Sequence, residues 1–111
     1  MRFLFICTGN VVRSPAAEAV LHELAPGLHE TRSAGISPFC PRPVTGGDLE
    51  WADVIAVMEA DHRIFIAERW PTAADKVRLL HVEDRYHRQD PALHVLLEAR
   101  LSELLGKLKM V

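Results

Sequence analysis

Several protein classes are excluded by what this chain lacks. It has only two cysteines in 111 residues, which is no disulfide framework and suits a reducing compartment where a free thiol persists. Neither sign of charge dominates, with 13 basic against 15 acidic side chains, so no broad basic face for nucleic acid and no polybasic membrane patch is expected. The opening apolar stretch, residues 1–6, is too short for a signal peptide or a membrane span, and the expected location is cytoplasmic. No internal repeat or low-complexity tract is visible. Of the six histidines, His22, His29, His62, His81, His87 and His94, none makes the i, i+4 helical pair of a metal site. They are expected to be solvated or lightly packed, with no metal and no cofactor. The length fits one domain over residues 1–111 with a core that needs no staple.

What is present is concentrated near the start. The apolar run Phe3-Leu4-Phe5-Ile6 ends at Cys7, Arg13 follows six residues on, and Ser14-Pro15 opens a helical pattern. This is a strand, a short loop and a helix N-terminus, with a thiol where the loop begins. Such a loop turns successive N–H groups inward as an anion-binding nest, and the helix adds its unpaired N–H groups. That setting favours a thiolate at Cys7. Arg13 offers a planar fork that matches two phosphate oxygens. Gly9 allows a tight turn, and Ser14 then Pro15 reads as N-cap and first helical residue. Ala16, Ala17, Val20, Leu21 and Leu24 fall on one helical face. Taken singly, Cys7 is also consistent with a small buried hydrophobe and Arg13 with a solvated charge. Together the features point to a thiolate attacking a bound phosphoryl group.

The rest alternates strand and helix. Strands are expected over Arg2–Ile6, His29–Ser33, Asp53–Met58 and Lys76–Val82, and helices over Pro15–Ala25, Asp61–Arg69 and from Asp90-Pro91 onward. Residues 36–47 are rich in proline and glycine and read as loop, and Thr45 with Asp48 suggests a capping box for a brief helix through Trp51. The last helix carries the stripe Leu93, Leu97, Leu101, Leu104 and Leu108. The alternation implies an α/β fold, a three-layer αβα sandwich on a central parallel four-stranded sheet, with the phosphate-binding loop after the first strand. Ligands of such sheets sit at the carboxyl ends of strands, where Cys7 lies and which Asp84 follows.

The motif from Cys7 to Ser14, followed by Pro15-Ala16-Ala17-Glu18, resembles the signature of the low-molecular-weight protein tyrosine phosphatases. Ser33-Ala34-Gly35, Trp51-Ala52-Asp53-Val54-Ile55 and Met58-Glu59 are similar to later segments of that family. The chain looks closest to a compact bacterial branch. The resemblance implies that Cys7 is the nucleophile, forming a cysteinyl-phosphate. Arg13 and the backbone N–H groups of Thr8, Gly9, Asn10, Val11, Val12 and Arg13 would hold the phosphoryl oxygens. Ser14 would hydrogen-bond the thiolate, and Asn10 and Ser33 would brace the loop. An aspartate after the last strand would protonate the leaving oxygen and then activate water. Asp84, in Glu83-Asp84-Arg85-Tyr86, is the preferred acid although Arg85 stands where the family has proline. Asp90 keeps the proline and competes, but also reads as a helix cap, and Glu83 is a third candidate.

The chain departs from the family in two further ways. Val12 stands where a second cysteine is common, and the segment before the last strand is short, so the walls that select tyrosine are reduced. Tyr86, Phe39 and Trp51 are candidates for wall or for packing. Arg85 and Arg88 flank the acid, as surface charges or as a preference for an anionic substrate flank. Cys40 reads as an idle thiol or a distant redox partner of Cys7. The function this implies is metal-independent hydrolysis of phosphotyrosine protein or a small aryl phosphate, releasing inorganic phosphate, by a monomer with no nucleic-acid or membrane partner. Arsenate reduction and non-catalytic phosphate binding are the alternatives. The first calls for a later cysteine pair, which the sequence does not have after Cys40.

Overall fold

Runs of apolar residues too short for helices lie between amphipathic segments, and burying both kinds at once produces a layered fold. The computed structural model describes residues 1–109. In chain order it contains β1 (Arg2–Cys7), α1 (Arg13–Leu24), β2 (Glu30–Gly35), α2 (Gly46–Trp51), β3 (Val54–Val57) and α3 (Ala60–Arg69). A 3₁₀ turn (Pro71–Lys76), β4 (Val77–Leu79) and α4 (Pro91–Lys107) complete it. The strands form one all-parallel sheet in the order β2-β1-β3-β4. The central strand β1 pairs Cys7 with Gly35 on one side and Ile6 with Val57 on the other.

Strand alternation sends β1 side chains into two cores. Phe3, Phe5 and Cys7 pack with Val20 and Leu21 of α1 and Leu93, Leu97 and Leu101 of α4. Leu4 and Ile6 pack with Leu49 of α2, Ile66 of α3 and Ala73 of the 3₁₀ turn. Each fully buried large side chain is worth roughly 1.5–3 kcal/mol relative to exposure. From β1 the chain crosses to β2 in one direction, and from β3 to β4 in the other. Right-handed crossovers therefore place α1 and α3 on opposite faces and leave a crevice between the carboxyl ends of β1 and β3.

Local departures from the sequence expectation have physical causes. Helix α1 starts at Arg13, and its cap residue Val12 has no side-chain capping bond, so Ser14 is not the N-cap. Leu24 is exposed at the carboxyl end of α1. The last strand is shorter than Lys76–Val82, because Lys76 closes the 3₁₀ turn and His81 takes a left-handed backbone (φ 58°) that breaks regular pairing. The chain still follows the sheet there, with N–H bonds from Leu80 to Val57 and from Val82 to Met58. The Thr45–Asp48 capping box is present.

Candidate active site

Cys7 ends β1 in the buried layer, and the loop after it folds back over its sulfur. Asn10 adopts φ 52°, a left-handed conformation that asparagine tolerates better than most residues. Its N–H thereby turns inward and donates to Cys7 Sγ at 3.1 Å. Ser14 Oγ lies 2.9 Å from the same sulfur and 2.8 Å from Asn10 Oδ1. Proton bookkeeping separates two states. With a thiol, S–H donates to Ser14 and Ser14 donates to Asn10. With a thiolate, Ser14 donates to sulfur and the Asn10 amide, turned end for end, donates to Ser14. The Ser14 hydroxyl is therefore spent on the sulfur and its brace, while the uncapped first turn of α1 keeps its N–H groups free for an anion.

The loop is supported from below by backbone. Ile36 N–H donates to Cys7 O at 3.0 Å and Ser37 N–H to Thr8 O at 3.1 Å. A Cβ at Gly35 would come within 2.6 Å of Thr8 O and 2.8 Å of Cys40 Sγ, so only glycine lets the loop sit so close. Ser33 does not act as expected: it is buried in β2 opposite Phe5, and among the described residues its hydroxyl makes no hydrogen bond to the loop. The register sets it on the same face of the sheet as Phe5 and Cys7.

Arg13 is 2% exposed and turned inward. Its Nη1 donates to Glu59 Oε1 and, at 2.9 Å, to Val82 O. Its Nη2 lies 3.4 Å from Thr8 Oγ1 and 3.8 Å from Asp84 Oδ2. One corner of the guanidinium is thus anchored to protein, and the Glu59 carboxylate offsets the burial of its charge. Nη2 faces the mouth of a cavity of about 220 Å³ lined by Cys7, Thr8, Gly9, Val11, Val12, Arg13 and Asp84. Larger clefts of about 340 and 310 Å³ lie by β4 and α4 and by α2 and the 3₁₀ turn. They hold no cysteine, so the smaller cavity is the one of the three that combines a thiol with the inward guanidinium.

The three carboxylates separate cleanly. Asp84 lines the cavity, and its side chain is 68% exposed. Asp90 caps α4, accepting from Ala92 N–H at 2.9 Å. Glu83 pairs with Arg85 at 3.2 Å. Tyr86 packs against the α1–α4 core, with the Arg85 guanidinium 4.7 Å from its ring centroid. Phe39 is 95% exposed, and Trp51 packs in the other core beneath Arg32.

Two histidines are not solvated. His29 is buried edge-on to Phe3, and burial lowers its pKa. His62 is fully buried beside the loop. Its Nδ1 accepts the Glu59 N–H at 3.0 Å and its Nε2 lies 2.9 Å from Thr8 Oγ1. Burial lowers the His62 pKa below 6.5; Asp61 opposes this, Arg13 adds to it, and Glu59 and Asp84 oppose it. Sequence reasoning missed Glu59 and His62 as site residues. Their signal was an acidic residue directly after an apolar strand, with a histidine three positions on in the helix start. Two clusters of possible metal donors occur among the described residues, Glu59–Asp61–His62 and Glu23–His94–Glu98. In the first, both His62 nitrogens are already engaged. The second is an exposed ion-pair group between α1 and α4, where His94 lies 3.0 Å from Glu23.

Comparison with known proteins agrees with this geometry. A family model described as low molecular weight phosphotyrosine protein phosphatase matches residues 2–39. The chain is 31% identical over 98 residues to a protein-arginine-phosphatase of Geobacillus stearothermophilus, covering 68% of this chain and 66% of that protein. It is 32% identical over 102 residues to a protein-arginine-phosphatase of Bacillus subtilis (strain 168), covering 69% and 68%. The match thus spans about two thirds of the length of these relatives. Among solved structures, the tyrosine phosphatase Wzb from Escherichia coli K30 in complex with phosphate aligns with a TM-score of 0.75 at 27% identity, over 96% of this chain and 97% of that one.

Proposed function

Because the chain belongs to the low molecular weight phosphotyrosine protein phosphatase family, we propose that it hydrolyses phosphotyrosine or similar aryl phosphates through a cysteinyl-phosphate, without a metal. The observation that carries this reading is Cys7 Sγ held by the Asn10 N–H and Ser14 on the wall of a cavity that also receives Arg13 and Asp84. The Cys7 thiolate attacks phosphorus, the P–O bond to the leaving group breaks, and Asp84 supplies the proton that the leaving oxygen takes. Arg13 Nη2 and the loop N–H groups receive the oxygens as charge shifts onto them. Water then attacks the cysteinyl-phosphate, Asp84 takes its proton, and the S–P bond breaks. Ser14 donates to the departing thiolate, and inorganic phosphate leaves.

Phosphoarginine is the second reading, supported by the names of the two relatives and by the exposed Asp84 carboxylate, which could face a guanidinium. The apolar rim formed by Val11, 51% exposed, supports the aryl ring instead. A guanidine leaving group is far more basic than the phenolate of tyrosine, so it depends more heavily on the acid. The test offers a nitrophenyl phosphate, phosphotyrosine peptide, phosphoarginine and arsenate with a thiol donor to wild type and to Cys7→Ser. Hydrolysis of the aryl esters that chelator leaves intact and Cys7→Ser abolishes is expected. Turnover by Cys7→Ser would overturn covalent catalysis, and arsenate reduction without ester hydrolysis would overturn the phosphatase reading. A preference for phosphoarginine would replace the aryl assignment.

A further inference from the structure

We propose that the Thr8 hydroxyl is a catalytic side-chain donor to the bound phosphate group, and that His62 is the positioning residue that aims it. This rests on the phosphatase reading above and adds to it a side chain that works alongside the backbone nest.

The argument is hydrogen-bond accounting. A backbone N–H can only donate, so the Glu59 N–H, 3.0 Å from His62 Nδ1, makes that nitrogen the acceptor. Buried and neutral, the ring then carries its proton on Nε2, which lies 2.9 Å from Thr8 Oγ1 and donates to it. Arg13 Nη2, at 3.4 Å, donates to the same oxygen. A threonine hydroxyl has two lone pairs and one proton. Both lone pairs face donors from the protein, so what remains is the proton. Thr8 is exposed and lines the cavity beside Cys7, Arg13 and Asp84. Its free O–H therefore points to the mouth of the cavity, where Asp84 Oδ2 stands 3.8 Å from the same Nη2. An oxygen of the phosphate group on the Asp84 side is the acceptor placed to receive it. The donor is preorganised, because His62 is locked by burial and by the start of α3, and such donors act most where charge grows in the transition state.

Two amides dissect the histidine. His62→Asn retains an acceptor near the Nδ1 position but loses the donor to Thr8, and His62→Gln places an amide donor near Nε2. Wild type, Thr8→Val, Thr8→Ser, both His62 variants and Thr8→Val/His62→Asn are assayed on an aryl phosphate, with melting temperature and with inorganic phosphate and vanadate as inhibitors. Thr8→Val is expected to lower kcat about 10–100-fold with KM little changed, and Thr8→Ser to restore it. His62→Asn should reproduce the loss and His62→Gln soften it, and the double variant should be no worse than Thr8→Val alone. Vanadate, which mimics the five-coordinate transition state, should lose more affinity in Thr8→Val than phosphate does. A folded Thr8→Val with unchanged kcat would overturn the proposal, as would a His62→Asn loss that persists in full in the Thr8→Val background. A wild type inactive on every phosphate substrate would instead sink the phosphatase reading, and the vanadate and phosphate affinities would still report on Thr8.

Discussion

Two loops meet at the cavity and are built in opposite ways. The loop after β1 is over-determined: its sulfur, hydroxyls and guanidinium are held by Asn10, Ser14, Glu59, His62 and Val82 at hydrogen-bond distance. The loop after β4 is open. Its Asp84 side chain is 68% exposed and touches the site through one 3.8 Å approach to Arg13. The difference matches the proposed jobs. A nucleophile and an oxyanion cradle lose rate when they are misplaced, so they are fixed in advance. An acid that must first serve a leaving oxygen and then a water occupies a looser position, which lets either ligand in and out.

Substitutions can test this contrast. The largest effect is expected on the open side: Asp84→Asn should lower turnover of poor leaving groups on the order of 10²–10⁴-fold, with a much smaller loss for a nitrophenyl ester, read by steady-state kinetics on both. If Asp90→Asn shows that pattern instead, the acid has been misassigned. On the fixed side, Gly35→Ala should strain the loop, since the new methyl would lie 2.6 Å from Thr8 O. Roughly 1–3 kcal/mol of stability and part of kcat should be lost, measured by urea unfolding and kinetics. Asp90→Ala should remove the α4 cap at about 1 kcal/mol and leave kcat unchanged, which separates capping from catalysis within one loop.

The smallest effect is a pH dependence of stability. Burial holds His62 and His29 below their ordinary value of 6.5. Below that pH the unfolded chain takes up protons that the folded chain refuses, so stability falls as pH drops below 6.5. Above it both states are neutral and these groups contribute no slope. Urea unfolding from about pH 7, roughly half a unit above histidine's ordinary value, to about pH 5, roughly a unit and a half below it, should show the decline, and His29→Leu should flatten part of it.

Much of the first loop was legible because its cues are local. An apolar run ending in Cys7, Gly9, Arg13 and the helix after it lie within one short stretch. The strand–helix alternation likewise implied the parallel sheet. Less legible was where single hydroxyls and imidazoles go. Ser14 read both as a cap and as a partner of the sulfur, and only the second is seen; Ser33 looked like a brace and lies buried against β1. His62 looked solvated and is enclosed, because helix α3 folds across the carboxyl end of β1.

The order of residues by itself determined the elements, the two apolar faces of β1 and the thiol–arginine loop, since these depend on neighbours a few positions apart. Only the tertiary structure decided which carboxylate anchors Arg13, which aspartate reaches the cavity and which tautomer His62 holds. Glu59 is 46 residues from Arg13 and His62 is 54 from Thr8, and chain separations of that size carry no periodicity to read. Only packing the crossovers brings those groups within hydrogen-bond range.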